Sequence, residues 1–463
     1  MASQNYPGLC FRIRYSIIIS SRVVCRSLVW LPVIFTFCFF TAIANAQTPA
    51  QIIAELNAVN SKVTNTPCNT GQGMLISNKA MNIFLSNKVS SYLSDGDDLS
   101  LYKNYVNINA AEGSIAINHN LHQPVDSDDW VRSFMVVGAR ANVANAYAAR
   151  FSNKYFDNRL GFILQNTWMG KPGTYYDKCG SQKQAMDGQR AEIVHSLEAE
   201  INRKAADFEH SLDAIKPADI PGQDANITKG KLRQDFYAAL RADYLQKFSQ
   251  AQSDLLVNTN NYNLVTDNWT TLGIYIPIIA QKFEVGSDLT SEVAQRYNYP
   301  LELSVTHTRF WESTRVGRVF FTLSAKAFIN NSVQSGAMLD ANVSGPETTD
   351  DTNTLSLNDG NRFIGTYQNY ITPVAAGKLV YIPPDSHIGV SFRIEKNFGT
   401  YHALNSIIGL PIVLIDKNGV PAINFEAQLL FTDMTGTIKG SQLPGNKNSI
   451  GLTVGIPFSK IVY

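Results

Sequence analysis

Seven side chains carry the chemistry that alternating segments can bring to one face: Arg140, His307, Arg318, Lys326, Arg393, Glu395 and Glu426. Each falls on the polar phase of a stretch whose other phase is apolar. Opposed charges lining a lumen can set a transverse field and tune the passage of small solutes. The same charges can instead pair with one another and fill the space, and spacing alone does not choose between these readings. Other chemistry is poorly supported. No HExxH, GxSxG or P-loop pattern occurs. His119 and His122 stand three apart in a strand-to-loop stretch, which suits surface histidines better than a metal pair. Asp95-Gly96-Asp97-Asp98, Asp126-Ser127-Asp128-Asp129 and the run Glu347 to Asp351 gather hard oxygens, but none has EF-hand spacing and solvated turns or loops account for them. With no nucleophile and base brought together, neither an enzyme nor a cofactor is expected.

The elements that must position those residues are mostly strands of period two. Ile450, Leu452, Val454, Ile456 and Phe458 alternate with Ser449, Gly451, Thr453, Gly455 and Pro457. Similar alternation runs through 423–431, 388–395, 318–329, 272–278 and 135–143, with two weaker stretches at 104–110 and 114–119. One face is apolar, while the other carries Arg, Glu, Lys, Asn, Gln, Ser and Gly. Such strands fit a soluble sandwich with its apolar face inward, or a transmembrane barrel with that face outward. Their length of roughly nine to eleven residues is what a tilted strand needs to cross a bilayer.

The N-terminus favours the barrel. Residues 28–43 are almost wholly apolar, Arg12, Arg14, Arg22 and Arg26 precede them, and Ala44-Asn45-Ala46 follows. A basic region, an apolar core and an A-x-A site predict a cleaved secretory signal over 1–46. A retained anchor is the alternative, disfavoured by the short run and by Pro32. Later segments offer no apolar run long enough for a spanning helix. The 39 basic and 38 acidic residues nearly cancel, which speaks against nucleic acid as a partner. Cys10, Cys25 and Cys38 would leave with the signal. Cys68 and Cys179, neither in a CxxC, would then form one disulfide in an exported chain or stay as two buried thiols.

Two helical regions interrupt the strands. Residues 47–103 predict a periplasmic helical segment, with Ile52, Ile53, Leu56 and Val59 at helical spacing, then Met81, Phe84, Leu85, Val89 and Leu93. Residues 181–257 predict a helical hairpin. One stripe runs Ile193, Leu197, Ile201, Ala205, Phe208, Leu212 and Ile215. The other runs Leu232, Phe236, Leu240, Tyr244, Phe248, Ala251 and Leu255, with Pro217 and Pro221-Gly222 between them.

The last residues, SIGLTVGIPFSKIVY, resemble the closing strand of outer-membrane β-barrel proteins, down to a terminal aromatic, Tyr463. The whole chain is similar in style to uncharacterised outer-membrane proteins of Bacteroidota-like bacteria. The resemblance implies outer-membrane lipid around the protein and recognition of the final strand by the barrel-assembly machinery. The expected fold is mainly β: an antiparallel transmembrane barrel of about twelve strands over 104–463, with an N-terminal helical segment and an inserted helical hairpin. Short turns on one side and long loops on the other then fix the topology. Counting back from the C-terminus puts 433–447, 397–404 and the whole of 331–375 outside, provided that 362–368 does not cross. The turns at 312–314, 383–385 and 416–421 fall inside. The hairpin 181–257 is forced to the periplasmic side, where it would meet a partner. The expected role is passive solute passage or a scaffold, with a soluble β-rich binding protein as the alternative.

Overall fold

The computed structural model describes residues 48–67, 73–90, 102–109, 114–121, 128–142, 160–176, 179–215, 225–287, 294–333, 338–340, 362–400, 402–416, 421–436 and 448–458. The expected signal 1–46, Cys68, His122, the acidic runs 95–98 and 347–351, and Tyr463 lie outside the described residues.

Strands dominate. In chain order they are β1 (Tyr105–Asn109), β2 (Ser114–Asn120), β3 (Ser133–Asn142), β4 (Gly161–Met169), β5 (Gly173–Tyr175), β6 (Leu264–Pro277), β7 (Gln281–Gly286), β8 (Ala294–Asn298), β9 (Glu302–Ser313), β10 (Gly317–Asn331), β11 (Leu339–Asp340), β12 (Arg362–Ile364), β13 (Asn369–Ile382), β14 (Val390–Asn397), β15 (Leu404–Ile415), β16 (Pro421–Phe431) and β17 (Asn448–Pro457). Antiparallel neighbours follow the order β4-β3-β2-β1-β17-β16-β15-β14-β13-β10-β9-β6, and β6 pairs back onto β4, with Gly161 opposite Pro277. The result is a closed barrel of twelve strands. It leaves no sheet edge to template aggregation. β5 extends the β4 position along β6, with Thr174 opposite Val265. Both weak N-terminal strands are present, and they supply the even count. β12 pairs with β7 and β11 in a separate four-stranded sheet, so 362–364 does not cross the barrel.

The barrel has two unlike ends. The chain enters at Asn104 and leaves at Phe458, and these residues meet through a backbone hydrogen bond of 3.0 Å. At this near end the strand connections 314–316, 383–389 and 416–420 are short. Gly317 closes the first of them at φ +95°, where a Cβ would strike the carbonyl of Ile382. The far end carries the long connections 143–160, 278–301, 332–368 and 432–447, including the small sheet.

Four helices are described, and all belong to near-end segments: α1 (Pro49–Thr64), α2 (Asn78–Val89), α3 (Cys179–Ala214) and α4 (Ala225–Thr259). None is long and apolar enough to cross a membrane. α1 begins with a capping box, Thr48 against Gln51, and with Pro49 in the first turn. Its Ile52 and Leu56 pack on Val194 and Ile201 of α3 and on Leu240, Tyr244 and Phe248 of α4, making a three-helix bundle. Arg190 is fully buried and locks the base of that bundle. Its Nε donates to Asn60 Oδ1 at 3.1 Å and its Nη2 to Thr64 Oγ1 at 3.1 Å, with further bonds to Asp187 and the Leu75 carbonyl. At 1.5 Å per residue the 36-residue α3 is about 54 Å long. The predicted hairpin is therefore a stalk.

Beyond the end of α1 the stalk is held by side chains. Phe208 stacks on Phe236 at 3.8 Å, and Glu209 takes a forked pair of bonds from Arg233, at 2.9 and 2.7 Å, and one from Tyr237 at 2.8 Å. The Arg233 guanidinium, helped by Tyr237, holds the Glu209 carboxyl below its ordinary value of 4.5, while burial and the Glu209 bond push the Tyr237 hydroxyl up to about 12. A depressed carboxyl stabilises the fold above its unfolded value, and that contribution is lost as pH falls through the folded value. The thermal midpoint of the stalk should fall more steeply below pH 4.5 in the native chain than in Glu209→Gln. Circular dichroism melts across that range check this.

α2 departs from the sequence expectation. Residues 47–103 read as one periplasmic helical segment; of its two described helices, α1 lies outside the barrel and α2 does not. α2 sits in the near mouth, with Ala80, Met81, Asn82, Ile83, Phe84, Leu85, Ser86 and Val89 all buried. It shares one core with Tyr105, Phe134, Val265, Trp269, Phe310, Phe320, Val380 and Ile382 from the barrel wall. Such all-round burial is possible because the helix is lined with small and amide residues where no apolar contact is made. Its first turn is fixed by the β2–β3 connection: the Lys79 N–H donates to Asp128 Oδ1 at 2.9 Å, and Asn82 Nδ2 to the Asp129 carbonyl at 3.3 Å. Its Ser77 N–H donates to Gln252 of α4 at 2.8 Å.

Candidate functional site

The wall residues that pack on α2 belong to the buried phase of their strands, so the buried phase points into the lumen. That phase is polar. Asn107, Asn118, Gln165, Thr167, Thr271, Thr306, Thr308, Thr322, Thr372, Ser391, Asn424, Gln428 and Thr453 are all buried on it. The opposite phase is apolar and exposed: Ile450 at 71%, Phe162 at 60%, Ile117 at 55%, with Phe392, Leu379 and Leu452 among many others. A water-soluble core has the reverse arrangement.

Six of the seven predicted charged residues lie on the inward phase, and they fall into separate groups. At the near end Arg318 Nε stands 3.6 Å from Glu312 Oε2, while Lys88 of α2 reaches Glu312 Oε1 at 2.7 Å. Tyr262 also donates to Glu312, at 3.3 Å, and Arg318 Nη2 donates to the Ser386 carbonyl at 3.1 Å. A buried carboxylate between two cations ties α2 to the wall. Asn424 holds the same end of α2 through the Ser90 carbonyl.

Deeper in the lumen Glu426, 1% exposed, pairs with Lys378 at 3.4 Å and accepts from Ser391. Gly409 makes room for it, since a Cβ there would collide with the Glu426 carboxylate and the Ser391 hydroxyl. On the next strand Arg393 pairs with Glu395 at 3.0 Å. Towards the far end Arg140 Nη2 lies 3.4 Å from Glu302 Oε2, with its guanidinium 4.0 Å from the centre of the Tyr275 ring. Lys326 is half-buried on the same inward phase of β10 and has a partner too.

His307 is a correction. It faces outward with Leu303, Val305 and Trp311, and its Nδ1 is 3.0 Å from the outward Thr270 Oγ1. The inward phase of β9 is Glu302, Ser304, Thr306, Thr308, Phe310 and Glu312. Alternation from Leu303 and Val305 was the signal that could have given both His307 and the two glutamates. Lys378 is absent from the sequence reading because no alternation is read between 329 and 388, where β13 runs from Asn369 to Ile382. Lys88 was missed because its helix reads as external.

The structure does not describe the disulfide. Cys68 and the Cys179 side chain lie outside the described residues. Their flanks do converge: the Gly73 N–H donates to the Thr174 carbonyl at 3.2 Å, and Lys183 Nζ to the Val63 carbonyl at 3.0 Å. The sequence expectation of a Cys68–Cys179 bond predicts that these two cysteines resist alkylation before reduction. Alkylation of both cysteines in unreduced, denatured protein, read by mass spectrometry, would refute it.

Among known proteins, no family model matches the chain, and no curated protein matches it. Of solved structures, the chain is similar to the crystal structure of the β domain of the Bordetella autotransporter BrkA, at 8% identity and a TM-score of 0.24, over 77% of this chain and 97% of that one. A likeness this slight transfers neither activity nor partner.

Proposed function

We propose that this chain is an outer-membrane β-barrel protein whose lumen is plugged by its own helix and whose stalk acts as a periplasmic scaffold. The inverted burial pattern carries the membrane reading. A belt of exposed Ile, Leu, Phe and Val around a closed barrel has no favourable environment in water, and lipid supplies one. The polar interior supports the same reading. Asn107, Asn118, Gln165 and Thr453 carry buried oxygen or nitrogen atoms that no protein group meets, which suits a lumen holding water.

The start of the first barrel strand, the end of the last, the described helices and the connections 314–316, 383–389 and 416–420 share one end, and bacterial barrels keep that end in the periplasm. On that basis the stalk, whose α3 is about 54 Å long, lies on the periplasmic side of the membrane. Its length and mixed charge suit contact with a periplasmic protein better than solute handling. α2 in the near mouth favours a scaffold over a permanently open pore.

Gel mobility of boiled against unboiled membrane extracts tests the barrel. A heat-dependent shift in the outer-membrane fraction is the expected result. Recovery in the soluble fraction with no shift would replace this reading with a secreted β-rich protein.

A further inference from the structure

Apart from His119, Asn369 and Lys396 at strand ends, the outward phase of most described strands is apolar or small, but three adjacent strands carry a polar cluster. Asn166 of β4, Asn268 and Thr270 of β6, and His307 and Arg309 of β9 all face outward. Register makes them one patch: Thr270 lies opposite both His307 and Trp168, and Asn268 lies opposite Arg309. His307 and Thr270 are hydrogen-bonded at 3.0 Å, and the Arg309 guanidinium lies 5.4 Å from the centre of the Trp311 ring. Towards the far end the patch gives way to Leu272, Val305 and Leu323, each exposed.

Depth and charge identify what covers the patch. Arg309 is four residues from Ser313, the last residue of β9. At about 3.3 Å per residue and a tilt of roughly 40°, that places it about 10 Å above the near rim. An arginine at that depth reaches headgroup level along its own stem, and tryptophans mark that level. Its counter-charge cannot come from a second copy pressed wall to wall. No outward residue of the described barrel strands is acidic; Asp267, Glu302, Glu312, Glu395 and Glu426 all point inward. A lipid phosphate meets both the charge and the depth.

We propose that β4, β6 and β9 form a binding site for an anionic phospholipid of the inner leaflet. Arg309 pairs with the phosphate, Asn268 and the Thr270–His307 pair hydrogen-bond the headgroup, and an acyl chain lies along Leu272, Val305 and Leu323. The site rests on the membrane reading above.

Native mass spectrometry of the full chain in detergent, titrated with phosphatidylglycerol, tests it. Arg309→Leu should weaken the first lipid adduct about tenfold, the loss expected for one charge-assisted contact worth about 1.4 kcal/mol. Lys396→Leu, which removes an outward cation at the opposite rim, should leave it unchanged. Equal lipid retention by the native chain and Arg309→Leu would overturn the site. So would displacement of the adduct by millimolar inorganic phosphate, or a dimer mass that Arg309→Leu abolishes. If the heat-dependent mobility shift persists in all of these, the barrel stands and only the lipid site falls. Its absence from every form would remove the membrane reading itself.

Discussion

Arginine at Leu452 should stop the barrel from assembling. Leu452 faces outward on the closing strand, 43% exposed, and Ala427 is its partner on β16. A charge on the lipid face near mid-depth costs about 2–4 kcal/mol. That is a large fraction of the stability margin of a folded domain, and here the strand that closes the ring carries it. The expected result is loss of the heat-shifted band and accumulation outside the outer membrane. Phe425→Arg, on the neighbouring strand and in the same phase, should behave alike. Inward Glu395→Gln is the matched control. It removes a charge at a half-buried lumen position and should leave assembly intact. Thr453 would be a poor control despite its inward phase, because it is fully buried opposite Glu426 and has no room for a longer side chain. Normal assembly of both Leu452→Arg and Phe425→Arg would mean that this face does not meet lipid.

The barrel was legible because alternation is a local property. Ile450 to Phe458 and Val319 to Ile329 show their phase within ten residues, and the phase fixes which residues face the lumen. Topology was legible too, since turn length is written in the sequence around Thr314 and Pro383. The position of α2 was not. Its apolar residues, Met81, Phe84, Leu85 and Val89, would look the same on a helix packed against a neighbour outside. Its placement in the mouth depends on Asn82 and Lys88 meeting groups far along the chain. Asn82 finds the β2–β3 connection, and Lys88 finds Glu312, 224 residues away. The lumen pairs follow the same logic. Each charge was visible, but Lys378 with Glu426 and Arg140 with Glu302 are set by strand register around a closed ring. His307 shows the opposite failure: a local alternation was available and went unread, because an imidazole is not expected on a lipid-facing phase.

The second large effect concerns the helix in the mouth. If α2 is a plug, the native chain should give no steady conductance in planar bilayers, and the latch at Glu312 should control opening. Glu312 takes charge from Lys88 on α2 and from Arg318 on the wall. Glu312→Ala leaves two cations facing each other beside a mostly buried site. Breaking a buried pair from one side costs about 3 kcal/mol or more, much of it from the charge left alone. Lys88→Met should cost less, because Arg318 still meets the carboxylate. The double variant Lys88→Met with Glu312→Gln should recover part of the loss, since Arg318 is then the one cation left without its carboxylate and no second cation faces it. Detergent-solubilised melts measure the stability cycle, and single-channel recordings measure the plug. Transient openings in Glu312→Ala, absent from the native chain and reduced in the double variant, are the expected outcome. A native chain that conducts steadily would mean that α2 leaves the mouth in the membrane. Silence in every variant would mean that the packing of Phe84, Leu85 and Val89 against Phe310, Phe320 and Val380 holds the helix without the latch.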